Sequence, residues 1–241
     1  MGVKLSKRLK RIESMITKKY DHIWDCCCDH GLLGQALLER EHFVHIHFVD
    51  IVSKLMERLQ ENLEKSYKEI SSRWSVHCCH VADIPLPKYS GKHLIIISGV
   101  GGDLTKTFMS SLCNQYPEAD IDYILCPVYH QFDLRKELIR LDFVLQDECL
   151  IRENKRYYEI MMVSKKLRCA HEYEEICPVG NKIWQYTNEE EKNIATEYLN
   201  KIYCHYKKQQ HSKTHFHLEA FSQYKNVSLQ KKSLHQVEYF L

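Results

Sequence analysis

The run Asp25-Cys26-Cys27-Cys28-Asp29-His30-Gly31 constrains the fold more than any other stretch of the chain. The apolar-leaning segment His22-Ile23-Trp24 precedes it, and Leu32, Leu33, Ala36 and Leu37 follow in a helical pattern. A strand, a sharp turn and a helix start, in that order, form the place where an open α/β sheet holds a nucleotide-like ligand. The glycines usual in such a turn are here largely replaced by Cys and Asp.

The remaining pattern repeats that unit. Leu5, Leu9, Ile12 and Ile16 lie at helical spacing and predict an amphipathic basic first helix. Strands are expected at 22–28, 44–50, 74–82, 94–98 and 123–126. Helices are expected at 32–41, 54–70, 104–113 and 133–141. Segments 143–152 and 157–164, joined by Glu153-Asn154-Lys155, read as a hairpin. Alternation that closes in an antiparallel pair describes a Rossmann-like, doubly wound α/β sheet with a mixed edge. This is also the order of a class I methyltransferase, whereas a dehydrogenase more often continues with parallel units.

Beyond residue 166 the composition changes, which sets expected domains at 1–166 and 189–241 with a connector at 167–188. Thr187 with Glu190, or Asn188 with Glu191, can form a capping box. Ile194, Tyr198, Ile202 and Tyr206 then recur every four residues. A break at 211–214 and a second pattern of Leu218, Phe221 and Tyr224 predict a C-terminal helical hairpin.

Acids and glycines gather at the carboxyl ends of the expected strands, where such sheets bind ligands. Asp25 lies in the first strand, before the turn of Cys27, Asp29 and Gly31. Asp50, followed by Ile51, ends the second strand, where a carboxylate accepts from ribose hydroxyls. Ala82-Asp83 ends the third, placed to accept from an adenine amino group. Gly99, Gly101 and Gly102 follow the fourth, where missing side chains let a ligand approach the backbone. An anionic Asp29 repels a pyrophosphate but tolerates the sulfonium and ammonium of S-adenosylmethionine, so electrostatics favour the methyl donor.

Eleven cysteines suggest metal or redox chemistry, but neither Cys26-Cys27-Cys28 nor His77-Cys78-Cys79-His80 has Cys-x-x-Cys spacing. Adjacent strand residues point to opposite faces and do not converge on one ion. No metal is expected. With no signal-peptide pattern and no apolar run of membrane-spanning length, a cytoplasmic protein with reduced thiols is expected. The net charge of +2 announces no polyanion, but its distribution is uneven. Lys7, Arg8, Lys10 and Arg11 crowd the first helix, and Lys207 and Lys208 belong to a second basic stretch with Lys213 and Lys232. These are the candidate RNA contacts. Nothing in the sequence sets the oligomeric state.

At this point the residues resemble a specific family. Asp25-x-x-x-Asp29-His30-Gly31, Gly99-Val100-Gly101-Gly102 and Tyr158-Glu159-Ile160 are similar to signatures of the bacterial TrmK family of tRNA (adenine-22-N1)-methyltransferases. Leu5-Ser6-Lys7-Arg8-Leu9, Pro127 and Leu134-Arg135 match in order, so the resemblance spans about residues 4–164. It implies S-adenosyl-L-methionine as cofactor, tRNA as partner and adenine N1 as methyl acceptor. Asp29, His30 and Tyr158 become the catalytic candidates, with Asp29 binding the cofactor's amino group or assisting electrostatically. His30 would meet the base edge, and Tyr158 would offer it an aromatic face. Glu159 reads as structural. The chain departs from the family at Cys27 for glycine, Val100 for methionine, Cys126-Pro127-Val128 for Gln-Pro-Asn, and Ile84-Pro85 for a glycine-containing segment. Cys fits position 27 without strain if φ there is negative. Two other functions fit the same fold: a catalytically degenerate RNA-binding protein, and a methyltransferase with another substrate.

Overall fold

The computed structural model describes residues 3–40, 45–166, 173–209 and 215–231. Helix α1 (Lys7–Ser14) is capped by Ser6, whose hydroxyl accepts from the Leu9 N–H. Alternation follows: β1 (His22–Cys26), α2 (Leu32–Leu38), β2 (His45–Asp50), α3 (Ser53–Ser66), β3 (Trp74–Cys78), β4 (His93–Ser98), α4 (Gly102–Gln115), β5 (Ile121–Cys126) and α5 (Gln131–Arg140). The long strands β6 (Phe143–Glu153) and β7 (Arg156–Lys165) meet through Asn154 and Lys155, both at positive φ. Such a two-residue turn matches the twist of the strands it joins.

One eight-stranded sheet has the order β3-β2-β1-β4-β5-β7-β6-β8, where β8 (Glu174–Glu175) pairs antiparallel with β6. The five strands β1–β5 are parallel and β7 is inserted antiparallel beside β5. Strand order reverses between β1 and β4, so the sheet's crevice lies at their carboxyl ends. Both faces are buried. Ile23, Ile46, Phe48, Leu94 and Ile96 pack under α1, α2 and α3, while Trp24, Val49, Ile95 and Ile97 pack under α4 and α5.

Several boundaries differ from the sequence reading. The first strand stops at Cys26 because Cys27 turns to positive φ, so two of the three cysteines belong to the turn. The third strand stops at Cys78, and Val81–Asp83 is a short 3-10 turn. The expected helix at 54–70 ends at Ser66, where Tyr67 leaves helical dihedrals.

Helix α6 (Glu189–Gln209) begins at Asn188, whose Oδ1 accepts from the Glu191 N–H at 2.9 Å. The Glu191 carboxylate accepts in return from the Thr187 N–H and hydroxyl at 2.6 and 2.7 Å. Helix α7 (His215–Lys225) packs against α6, and Val179, Trp184, Tyr198, Ala220 and Tyr224 form a third core that also takes in Phe132 of α5. Leu218, expected on the apolar face, is instead exposed. Two short strands, β9 (Gln185–Tyr186) and β10 (Gln230–Lys231), pair in parallel beside this core. Glu41, Val44, Lys213, Lys232 and the expected break at 211–214 lie outside the described residues.

Helix α5 is tied to the β6–β7 hairpin by a buried ion triad. Arg135 of α5 donates to Glu148 at 2.5 Å and to Glu159 at 2.7 and 2.9 Å. The free oxygen of Glu148 accepts from the N–H groups of Asn181 and Lys182, and that of Glu159 from the Tyr198 hydroxyl at 2.7 Å. One guanidinium serves two carboxylates, and the outer oxygen of each carboxylate has its own donor, the added hydrogen bonding that a buried ion cluster requires. Glu159 is therefore structural.

Candidate active site

A cavity of about 770 Å³ opens at the carboxyl ends of the parallel strands. Its lining includes Asp25, Cys27, Asp29 and His30 from the first turn, Asp50 and Ile51 after β2, and Ser98, Gly99 and Val100 after β4. Residues expected at the ends of three strands thus meet in one concavity.

The first turn is held from within. Cys27 has φ 58° and Asp29 φ 51°, both in the left-handed region that favours glycine. Cys27 therefore occupies the position in the conformation that its resemblance to a glycine-bearing family implies, at a cost of roughly 1–2 kcal/mol. The Cys28 N–H donates to the Val49 carbonyl at 3.3 Å, and the Asp29 N–H to Asp50 Oδ2 at 3.1 Å. Asp50 Oδ1 also accepts from the Val52 N–H. With these donors engaged, the turn does not offer its full set of backbone N–H groups to a phosphate. Burial and the neighbouring acids Asp50 and Asp25 push the Cys27 thiol up to about 12, so no nucleophilic thiolate forms near neutral pH.

Asp25 is buried and accepts from the Gly34 N–H at 2.9 Å, which fixes the start of α2 to the end of β1. Burial raises its carboxyl to about 7, opposed by the Gly34 N–H and the Arg8 charge. Asp29 and His30 are exposed at the rim, with His30 Nε2 3.6 Å from Asp29 Oδ1. Gly99 has φ 91°, and the nearest atom to a Cβ placed there would be Arg8 Nη1 at 3.4 Å.

Other expected residues serve the walls. Gly31 faces Leu59 and Phe48, each 2.9 Å from where a Cβ would sit, and so permits helix-on-strand packing. A Cβ on Gly101 would lie 2.5 Å from the Tyr129 ring, and the Gly102 N–H donates to the Tyr129 carbonyl. The double glycine therefore seats the loop after β5. Asp83 is exposed and Ala82 donates its N–H to His80; neither lines the cavity, and Cys79, His80 and Val81 stand there instead. The early end of β3 causes that shift. Tyr158 lies beneath Arg8, whose guanidinium is 5.2 Å above its ring.

The basic residues separate into groups. Lys10 and Arg11 are exposed on α1, and Arg11 Nε approaches Cys149 Sγ at 3.1 Å. Lys7 lies 3.8 Å from Glu190 at the start of α6. Lys207 and Lys208 are exposed roughly 26 Å farther along that helix axis. Arg8 turns inward and lines the cavity, as do Ser6, Leu9 and Glu153, none of which the strand-end reasoning identified.

Among the described residues, Cys26, Cys27, Cys28, Cys78 and Cys79 are free thiols. The one His, Cys, Asp and Glu group there whose ligand atoms converge is Asp103, His130 and Asp133, on exposed helix starts. No described helix is long and apolar enough to cross a membrane.

The fit to an adenosyl cofactor bearing an amino acid rests on three features: a cavity of about 770 Å³, an acid after β2, and a bare glycine backbone after β4. A family model described as a methyltransferase domain matches residues 5–161. B. subtilis TrmK, an m1A22 tRNA methyltransferase, is 20% identical with a TM-score of 0.70, covering 92% of this chain and 95% of that one. M. capricolum TrmK, solved with the natural cofactor product S-adenosyl-homocysteine, is 19% identical with a TM-score of 0.70 and the same coverage. An uncharacterized Listeria monocytogenes protein is 18% identical with a TM-score of 0.72, covering 92% and 98%. At these identities the likeness shows a shared fold over nearly the whole chain. No curated protein matches the chain by sequence.

Proposed function

The chain belongs to the methyltransferase-domain family, and from that premise we propose that it methylates N1 of an adenine in tRNA, using S-adenosyl-L-methionine. The observation that carries this reading is the convergence of Asp25, Cys27, Asp29, Asp50, Ile51 and Gly99 on one cavity at the carboxyl ends of a methyltransferase sheet. Likeness in fold to two TrmK enzymes supports adenine 22 as the target.

When bound, the cofactor supplies an electrophilic methyl group. Adenine N1 attacks through an in-plane lone pair, so the site needs no general base. Its work is positioning, together with stabilising the positive charge that appears on the base. Asp50 would accept from the ribose hydroxyls and Gly99 would let the ligand lie against its backbone. Asp29 and His30, exposed in the cavity lining, would meet an entering base. An adenine in a helix has N1 occupied by pairing, so it must be unstacked to reach the cavity. Lys7, Lys10 and Arg11 on α1, with Lys207 and Lys208 on α6, would hold the RNA backbone. An RNA-modifying enzyme of this kind belongs in the cytoplasm.

Incubation with tRNA and labelled methyl donor, followed by mass spectrometry of the nucleosides, tests the reading. Labelled 1-methyladenosine is expected. Label on another nucleoside would replace the substrate assignment, and cofactor binding with no label in RNA would favour the degenerate RNA-binding form.

A further inference from the structure

We infer that Asp103, His130 and Asp133 form a binding site for a divalent cation, placed where the loops after β4 and β5 meet. The site is independent of the cofactor reading above. One ligand atom from each side chain lies within 4.8 Å of the other two, and among the described residues no other three His, Cys, Asp or Glu side chains converge so closely. Bonds of about 2.1 Å set such ligands roughly 3–4 Å apart around an ion. Rotation of three side chains, two exposed and one half-buried, covers the difference. The backbone brings the set together. His130, which precedes α5, and Asp133 in its first turn are three residues apart, while Asp103 stands in the first turn of α4. The two helix starts are tied by hydrogen bonds from the Gly102 N–H to the Tyr129 carbonyl at 2.8 Å and from the Val128 N–H to the Val100 carbonyl at 2.9 Å. Gly102 permits this closeness, since a Cβ there would collide with the His130 carbonyl oxygen.

The charge balance selects a cation. Helix starts favour anions, but each supplies only about half a positive charge, against a full negative charge on each aspartate. The Asp103 carboxylate contacts His130 Nδ1 and has no lysine or arginine partner among the described residues. Neither Gly101 nor His130 caps its helix with a side chain, so the imidazole is turned to Asp103 and not to an N–H of α5. One imidazole and two carboxylates make a nitrogen and oxygen ligand set that suits manganese, iron, cobalt or zinc. Three protein ligands leave further coordination positions for water or a substrate oxygen.

Titration of the reduced, chelator-treated protein with cobalt(II) tests the site, because thiolate ligation gives an intense near-ultraviolet band that nitrogen and oxygen ligands do not. The first equivalent should bind without that band and should raise the melting temperature of the wild type. Asp103→Asn and His130→Ala should each weaken cobalt binding by at least the roughly 10- to 100-fold that losing an outer-shell partner costs. Each should also abolish the thermal shift, and Asp133→Asn, which keeps its size, should do the same. Melting without metal, expected close to wild type for these surface changes, reports an intact fold. Unchanged affinity in Asp103→Asn and His130→Ala would overturn the assignment, as would a thiolate band in the first equivalent or no binding by the wild type.

Discussion

The two ends of the same parallel strands are both rich in polar side chains, yet they serve opposite purposes. At the amino side, His22 opens β1, His45 opens β2 and His93 opens β4, while His47 in mid-strand and His77 farther along β3 join them by side-chain contact. His47 stacks on Trp24 with ring centroids 3.7 Å apart, and His22 on His93 at 5.1 Å. Both nitrogens of His47 are engaged, by His22 at 3.1 Å and His77 at 3.0 Å, while Trp24 donates to His93 at 3.2 Å. Burial, reinforced at His47 and His45 by neighbouring histidines, holds these rings below their ordinary pKa. They are neutral packing groups. At the carboxyl side, acids surround a cavity, Cys27 and Asp29 of the first turn hold left-handed dihedrals, and Arg8 lines the same cavity. Polar content alone therefore does not mark a site. Unused hydrogen-bonding capacity beside a concavity does.

If this contrast holds, changes at the amino end should cost stability and spare ligand binding. His47→Ala removes a buried ring stacked on Trp24 and strands two hydrogen-bond partners, so it should destabilise by about 3 kcal/mol in chemical denaturation. Affinity for S-adenosylhomocysteine should be unchanged. A large loss of affinity with little loss of stability would break the comparison.

The two ends should also respond to pH with opposite sign. The histidines have lowered pKa values in the fold, to about 4 for His77, against an unfolded value near 6.5. Their contribution is present above pH 6.5 and is lost as pH falls toward 4. Asp25, raised to about 7, contributes stability below its unfolded pKa near 3.9, and loses it as pH rises through 7. Asp25→Asn should therefore raise the melting temperature relative to wild type more at pH 8 than at pH 5. Parallel pH profiles for the two proteins would remove Asp25 from this account.

The smallest effect is expected at the first turn. Cys27→Gly relieves a left-handed Cys but adds unfolded-chain entropy, so it should gain only about 0.5–1 kcal/mol in denaturant melts. A loss of stability would show that the thiol's packing outweighs its backbone strain.

Some of this was legible in the sequence. The apolar run of β4 and the Asn154-Lys155 turn are local signals, and both elements formed close to the expected bounds. Asp50 and Gly99 were found because strand ends are readable in an alternating chain. Arg8 was grouped with Lys7, Lys10 and Arg11 by charge, although its spacing from Leu5, Ile12 and Met15 already placed it on the buried stripe. His80 and Val81 were missed because β3 ends at Cys78, short of the expected bound, moving its loop over the cavity. The histidine cluster is invisible locally: parallel register alone brings His22 opposite His45 and His93. The sign of φ at Cys27 is likewise set by closure of the turn onto Val49 and Asp50, two contacts distant in sequence.

The most direct measurement is calorimetric titration of the wild-type protein with S-adenosylhomocysteine, with Cys27→Gly beside it and a nicotinamide dinucleotide as the competing ligand. Saturable binding of S-adenosylhomocysteine to both proteins, within a few-fold of each other, and no binding of the dinucleotide are the predicted results. Binding to Cys27→Gly alone would mean that the cysteine closes the pocket, and dinucleotide binding in its place would contradict the assignment of the cavity.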